Sequence, residues 1–212
     1  MKKIFSNFYH KFLKYKFHES HESIDYKEIC DPHLVESEKY RFSLFNGIDL
    51  KKIITVLDYG CGYGVNMNIL KKLKKEIKLN CMEISKERLT MLDIINDNVY
   101  KMGFNKLAIN NLPKLEKHFD LAYCDAVLIY VRPQKIHELL KSLIKSSKQT
   151  ILLHELTYEF TKEKIDHLHI HNYRAIIKKI NPSLKVKFFK SLRPGAPWST
   201  HGTKIIINRS DN

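Results

Sequence analysis

Apolar residues in this chain recur with two different periods. The runs Ile53 to Asp58, Ile77 to Glu83, Phe119 to Cys124, Thr150 to Leu153, Leu184 to Phe189 and Thr203 to Asn208 are of strand length. They are rich in β-branched, aliphatic or aromatic residues. Val65 to Lys75, Ser85 to about Ile95, Gln134 to Ser146 and Tyr173 to Ile180 instead gather their apolar residues on one helical face. Ser85 has the position and chemistry of an N-cap. Asn98 to Met102 reads as one more short strand, and Asn110-Asn111-Leu112-Pro113 as a loop. Strands alternating with helices predict an α/β fold on a mainly parallel sheet with helices on both faces.

Upstream of Ile53 the pattern changes. From Lys2 to Phe17, the residues Ile4, Phe5, Phe8, Tyr9, Phe12 and Leu13 follow helical spacing, with Lys2, Lys3, Lys11 and Lys14 largely opposite. A basic amphipathic helix of this kind packs its aromatic stripe on its own domain, docks on a partner, or contacts an anionic membrane through residues 1–17. Glu19 to Cys30 is polar and reads as a linker or lid. Asp31 and Pro32 then open a helix that ends near Gly47. The expected organisation is a helical extension with a candidate lid over residues 1–47, followed by one domain over residues 48–212.

The first strand runs into Asp58-Tyr59-Gly60-Cys61-Gly62-Tyr63-Gly64, with glycine at every second position before a helix. Missing Cβ atoms let the backbone turn sharply and let a ligand approach it. In open parallel sheets, ligands bind beyond the carboxyl ends of the strands. Asp58, Glu83, Asp125 and the pair His154-Glu155 are all expected at that edge. Glu83, about 20 residues beyond the glycine turn, stands where an acid accepts the hydroxyls of an adenosine ribose. A dinucleotide loop needs G-x-G-x-x-G, but Val65 holds the place of its last glycine. Asp58 before the turn suits a cationic ligand better than a pyrophosphate.

Composition changes this picture in two respects. The net charge of +14 over 212 residues favours anionic partners. The basic residues are scattered rather than blocked, however, which fits a lysine-rich solvated surface as well. The four cysteines show no C-x-x-C spacing and read as free thiols of a reducing compartment. No apolar run approaches a membrane span, and His10 and Lys11 interrupt any signal-like start. A cytoplasmic protein is expected.

The run Val56-Leu57-Asp58-Tyr59-Gly60-Cys61-Gly62-Tyr63-Gly64 resembles the first motif of class I S-adenosylmethionine-dependent methyltransferases. Glu83 matches that family's ribose-binding acid. Phe119-Asp120-Leu121-Ala122-Tyr123-Cys124-Asp125, followed by Ala126 to Val131, matches its fourth-strand motif. The resemblance implies a Rossmann-like sheet of seven strands with the last antiparallel, S-adenosylmethionine as cofactor, and methyl transfer. It implies that Asp58 and the backbone of Gly60, Cys61, Gly62 and Gly64 hold the amino acid end of the cofactor. Glu83 would take the ribose, Ile84 would pack on the adenine, and Asp125 would line the site near the sulfur. Many members bond the adenine amine through an acid after the third strand. Here the region reads Gly103-Phe104-Asn105, which gives that role to Asn105. The tail from His171 to Ile207 is similar to methyltransferases found beside surface-glycan pathways, implying a small-molecule or glycan-type acceptor methylated at oxygen.

Methyl transfer is a displacement at carbon, so the protein mainly aligns the reactants and, for a hydroxyl acceptor, removes a proton. His154 and Glu155 are the first candidates for that base, with Tyr130 orienting the acceptor. Alternate histidines at His167, His169 and His171 raise a metal reading, which methyl transfer does not need, and no metal is expected. Nucleic acid is the second acceptor class that the charge allows. The fourth strand continues as Cys124-Asp125-Ala126-Val127, though, without the Asp/Asn-Pro-Pro-aromatic motif of base-amine methylases. Tyr158-x-x-x-Lys162 mimics a dehydrogenase pair outside that family's glycine pattern. A non-catalytic scaffold that binds the cofactor is the third class.

Overall fold

The computed structural model describes residues 40–160 and 168–209. The expected helix over residues 1–17, the candidate lid, Lys162 and His167 lie outside the described residues. A helical turn at 40–44 leads through Leu50–Lys52 into a seven-stranded sheet. Its strands are β1 (Thr55–Tyr59), β2 (Lys78–Met82), β3 (Phe104–Lys106), β4 (Phe119–Asp125), β5 (Ser147–Leu156), β6 (Lys185–Lys190) and β7 (Gly202–Asn208). They lie side by side in the order β3-β2-β1-β4-β5-β7-β6. The first five are parallel, and β7 runs antiparallel to both β5 and β6. The chain is a Rossmann-like α/β protein. Strand order reverses between β1 and β4, so a crevice opens there beyond the strand ends, where such sheets place ligands.

Along the central strands β1, β4 and β5 the apolar runs are continuous because both faces are covered. Val56, Leu79, Cys81, Leu121, Tyr123 and Leu152 point to one side. There they pack on Leu44, Phe45, on Met67, Ile69 and Leu70 of α1 (Val65–Leu73), and on Leu92 of α2 (Lys86–Ile95). Leu57, Met82, Ala122, Cys124, Ile151 and Leu153 point to the other. They meet Ile136, Leu140 and Leu143 of α3 (Pro133–Ser146) and Tyr173 and Ile177 of α4 (Tyr173–Ile180). Ser85 caps α2 as expected, its Oγ accepting the Arg88 N–H at 3.2 Å.

Two expectations about elements are corrected. Asn98 to Met102 is not a strand. The helical path continues past α2 as a π-turn over Asn96–Tyr100, closed by Lys101 N–H donating to Asn96 O. The third strand therefore forms later, at Phe104–Lys106. Asn105 lies inside β3 opposite Asn80 and donates to its Oδ1 at 3.3 Å, rather than following the strand. Leu107 and Ala108 are the residues beyond the strand end. A short helix, α5 (Trp198–His201), also precedes β7, between the last two of the expected strands.

Candidate active site

The turn after β1 is set by backbone need. Gly60 has φ +79° and Gly62 φ +54°, in the left-handed region that side-chain-bearing residues avoid. A Cβ on Gly60 would stand 2.5 Å from Val127 Cγ2, so the turn is pressed against the loop after β4. A Cβ on Gly62 would meet nothing within 4 Å, which leaves bare backbone facing open space. Gly60 and Cys61 donate to Met82 O, tying the turn to the end of β2, and Gly64 precedes α1 as its N-cap.

Three carboxylates border this turn. Glu83 accepts the Gly62 N–H through Oε2 at 2.9 Å, and the Ile84 and Ser85 N–H groups through Oε1 at 2.8 and 3.0 Å. Directly beyond it, Ile84 leaves an uncovered apolar side chain, 80% exposed. Asp58 is buried and accepts the Tyr123 hydroxyl at 2.6 Å. Burial pushes its carboxyl up to about 8, against the pull of the Tyr123 bond, and the charges of Asp125 and Glu83 add to the rise. Such crowding favours a cation in the crevice.

Asp125 ends β4 and is the centre of a network. Its Oδ2 accepts Asn66 Nδ2 from the first turn of α1 at 2.9 Å, and Arg41 Nη1 lies 3.8 Å away. Its Oδ1 is 2.7 Å from His154 Nδ1, and Tyr40 Oη is 2.8 Å from the same nitrogen. His154 Nε2 is 2.7 Å from Ser191 Oγ, which already accepts the Arg193 N–H at 2.9 Å. In the neutral ring this pattern assigns the hydrogen to Nδ1, donating to Asp125, and leaves Nε2 to accept from Ser191. Burial alone would raise the Asp125 carboxyl, but His154, Arg193 and Arg41 outweigh it and hold it well below the usual carboxylate range. His154 itself is 1% exposed, stacked on Trp198 with ring centroids 4.8 Å apart and tilted against Tyr40.

The two halves of the pair His154-Glu155 part company because neighbouring strand residues face opposite ways. His154 joins Asp125. Glu155 points to the other face, fully buried, where its carboxylate accepts the Val127, Leu128 and Ile129 N–H groups at 3.0, 2.9 and 3.3 Å. It thus holds the turn Leu128–Tyr130, on which Tyr130 projects outward, 69% exposed. His171 is engaged with the Leu128 carbonyl at 3.0 Å, and among the described residues no group of three metal-ligating side chains converges.

Burial pushes the Glu155 carboxyl up to about 8, in spite of its backbone hydrogen bonds. An acid raised by folding contributes stability that is complete below its unfolded value near 4.5 and is lost as pH rises through about 8. Glu155→Gln keeps an acceptor for the turn but cannot ionise. Its stability relative to the parent is expected to improve between pH 5 and pH 9, by at most about 5 kcal/mol at roughly 1.4 kcal/mol per unit. Urea melts of both proteins at the two pH values check this. A constant difference would place the Glu155 carboxyl in its ordinary range.

Sequence reasoning missed Tyr40, Arg41, Asn66, Ser191 and Arg193. Asn66 left a signal, being a polar residue on the buried stripe of α1. Tyr40 and Arg41 lie in the helix expected before the strands, with nothing to mark them as site residues, and Ser191 and Arg193 in the connection after β6, where no periodicity marks them.

Residues 56–150 match the family model described as a methyltransferase domain. The matched stretch is a little under half of the chain and holds β1 to β4, so the glycine turn, Glu83 and Asp125 all lie inside it. Magnesium protoporphyrin IX methyltransferase from Synechocystis PCC 6803, solved with bound SAH, is similar over 99% of this chain and 100% of that one. The TM-score is 0.64 and the identity 16%. The PH0226 protein from Pyrococcus horikoshii OT3 covers 93% of this chain and 98% of its own, with TM-score 0.64 and 12% identity. Mitomycin 7-O-methyltransferase matches over 90% of this chain and 59% of its own, with TM-score 0.63 and 12% identity. At these identities the likeness shows the fold. No curated protein matches in sequence. No described helix is long and apolar enough to cross a membrane.

Proposed function

We propose that the crevice between β1 and β4 binds S-adenosylmethionine and that the chain methylates a small-molecule or glycan-type acceptor at oxygen. The observation that carries this reading is the joining of Glu83 to the Gly62 backbone, with Asp125 on the opposite flank of the same turn. The residues present fit the group. S-adenosylmethionine bears an ammonium and a sulfonium, which suit the carboxylates of Asp58 and Asp125. Glu83 stands for the ribose hydroxyls, bare Gly62 allows close approach, and Ile84 offers an apolar face to the adenine. Arg41, bonded through Nη1 to Asn66 Oδ1 at 2.9 Å, brings a cation to the start of α1 for the cofactor's carboxylate. When bound, the cofactor supplies an activated methyl group.

Asp125 in this reading is a fixed negative charge, aligned from one side by Asn66 and from the other by the His154–Ser191 pair. Glu155 shapes the wall that carries Tyr130. The small-molecule reading draws support from structurally similar chains named for mitomycin and plantazolicin.

Calorimetry with S-adenosylmethionine and S-adenosylhomocysteine should show saturable binding of both. Tritiated methyl transfer into a fractionated cell extract should then place label in small molecules or glycans. Absence of binding at millimolar cofactor would sink the reading, and label confined to RNA would move the acceptor to nucleic acid.

A further inference from the structure

Arg193 is built into the acceptor side of the site in an unusual way. Its backbone is anchored by the N–H bond to Ser191 Oγ, the same oxygen that touches His154. Its guanidinium carbon lies 4.3 Å from the centre of the Trp198 ring and 5.9 Å from that of Tyr40. The nearest carboxylate oxygen, Asp125 Oδ1, is 3.9 Å from Nη1, an ion pair beyond hydrogen-bond length. The side chain is 31% exposed. A planar fork of donors is therefore held over an aromatic ring beside Asp125, with its side-chain hydrogen-bond capacity unspent among the described residues.

The groups at the centre are poorly placed to accept a proton. His154 is enclosed, with Nδ1 turned to Asp125 and Nε2 to Ser191. Asp125 is held ionised by its cationic neighbours, which makes it a weak base. A hydroxyl acceptor needs a base, whereas a carboxylate arrives already ionised.

We propose that Arg193 seats a carboxylate of the acceptor beside Asp125, and that an oxygen of this carboxylate is the atom methylated, giving a methyl ester. The inference rests on the methyltransferase reading above. In the transfer the carboxylate oxygen forms a bond to the methyl carbon as the carbon–sulfur bond breaks. The bonding pair stays on sulfur, the sulfonium becomes a neutral thioether, and no proton moves. Arg193 is a specificity residue in this scheme, recognising the planar two-oxygen shape by paired N–H bonds.

Two measurements test it. Methyl esters release methanol in mild alkali, whereas ethers, methylamines and phosphate methyl esters survive. Tritium transferred into the small-molecule fraction should therefore become volatile after alkali, and label that stays behind overturns the ester. Independently of turnover, benzoate should change the emission of the chain's single tryptophan saturably in the full-length protein, while its neutral analogue benzamide should not. Arg193→Gln should weaken the benzoate response at least tenfold, and Arg193→Lys less. An equal response to the two probes, or an unchanged response in Arg193→Gln, removes Arg193 from acceptor binding. Cofactor binding that fails in calorimetry while benzoate still binds would overturn the methyl transfer and leave the anion seat standing.

Discussion

Glu83→Ala is expected to weaken S-adenosylmethionine binding by about a hundredfold, roughly 2.7 kcal/mol. Hydrogen bonds to a charged group contribute about 1.5–3 kcal/mol each, and the proposed ribose contact uses two. The change also removes the acceptor of the Gly62, Ile84 and Ser85 N–H groups, so the glycine turn keeps only its backbone bonds to Met82 O as a tie to the end of β2. Glu83→Gln keeps one carbonyl acceptor and should fall between the two. Titration calorimetry with S-adenosylhomocysteine measures both variants without turnover. An affinity within twofold of the parent in Glu83→Ala would take Glu83 out of the site.

The largest loss of stability is expected from Glu155→Ala, about 3–5 kcal/mol at pH 6. Three backbone N–H groups, at Val127, Leu128 and Ile129, would be left in a buried place without their acceptor, and a side-chain-sized void would open beneath them. Because Val127 touches the glycine turn, the damage should spread to the crevice and weaken cofactor binding too. Urea unfolding gives the first effect and calorimetry the second. A loss below about 1 kcal/mol would mean that the 127–129 turn holds itself.

The fold was legible because its central strands are buried on both faces and its helices on one, so each type leaves a distinct period. The glycine turn and the acids around it were legible because chemistry and backbone coincide there. Positive-φ positions demand glycine, and a strand-end acid at Glu83 has no reason to be apolar. Errors arose where local pattern competes with a continuing helix. Asn98 to Met102 contains Val99 and Tyr100, good strand formers, yet the chain keeps helical hydrogen bonds through a π-turn and delays β3. The pair His154-Glu155 shows a different limit. The spacing locates both residues at the strand end, but it does not say that one faces the crevice and the other a nest of amides. Tyr40, Ser191 and Arg193 reach Asp125 and His154 through tertiary packing, which no local pattern encodes.

The network around Asp125 draws on several separate stretches of chain. Asp58, the glycine turn, Glu83 and Asp125 all fall inside the residues that match the family model, whereas Ser191, Arg193 and Trp198 fall after it. On the proposed reading, most of the cofactor's contacts and the choice of acceptor are written in different places. A lineage can exchange residues 191–201, between β6 and β7, and change what is methylated while the apparatus for holding the methyl donor is inherited intact. Divergence of this chain from its relatives should accordingly be steepest in that short segment, next to a strand pair that keeps its register.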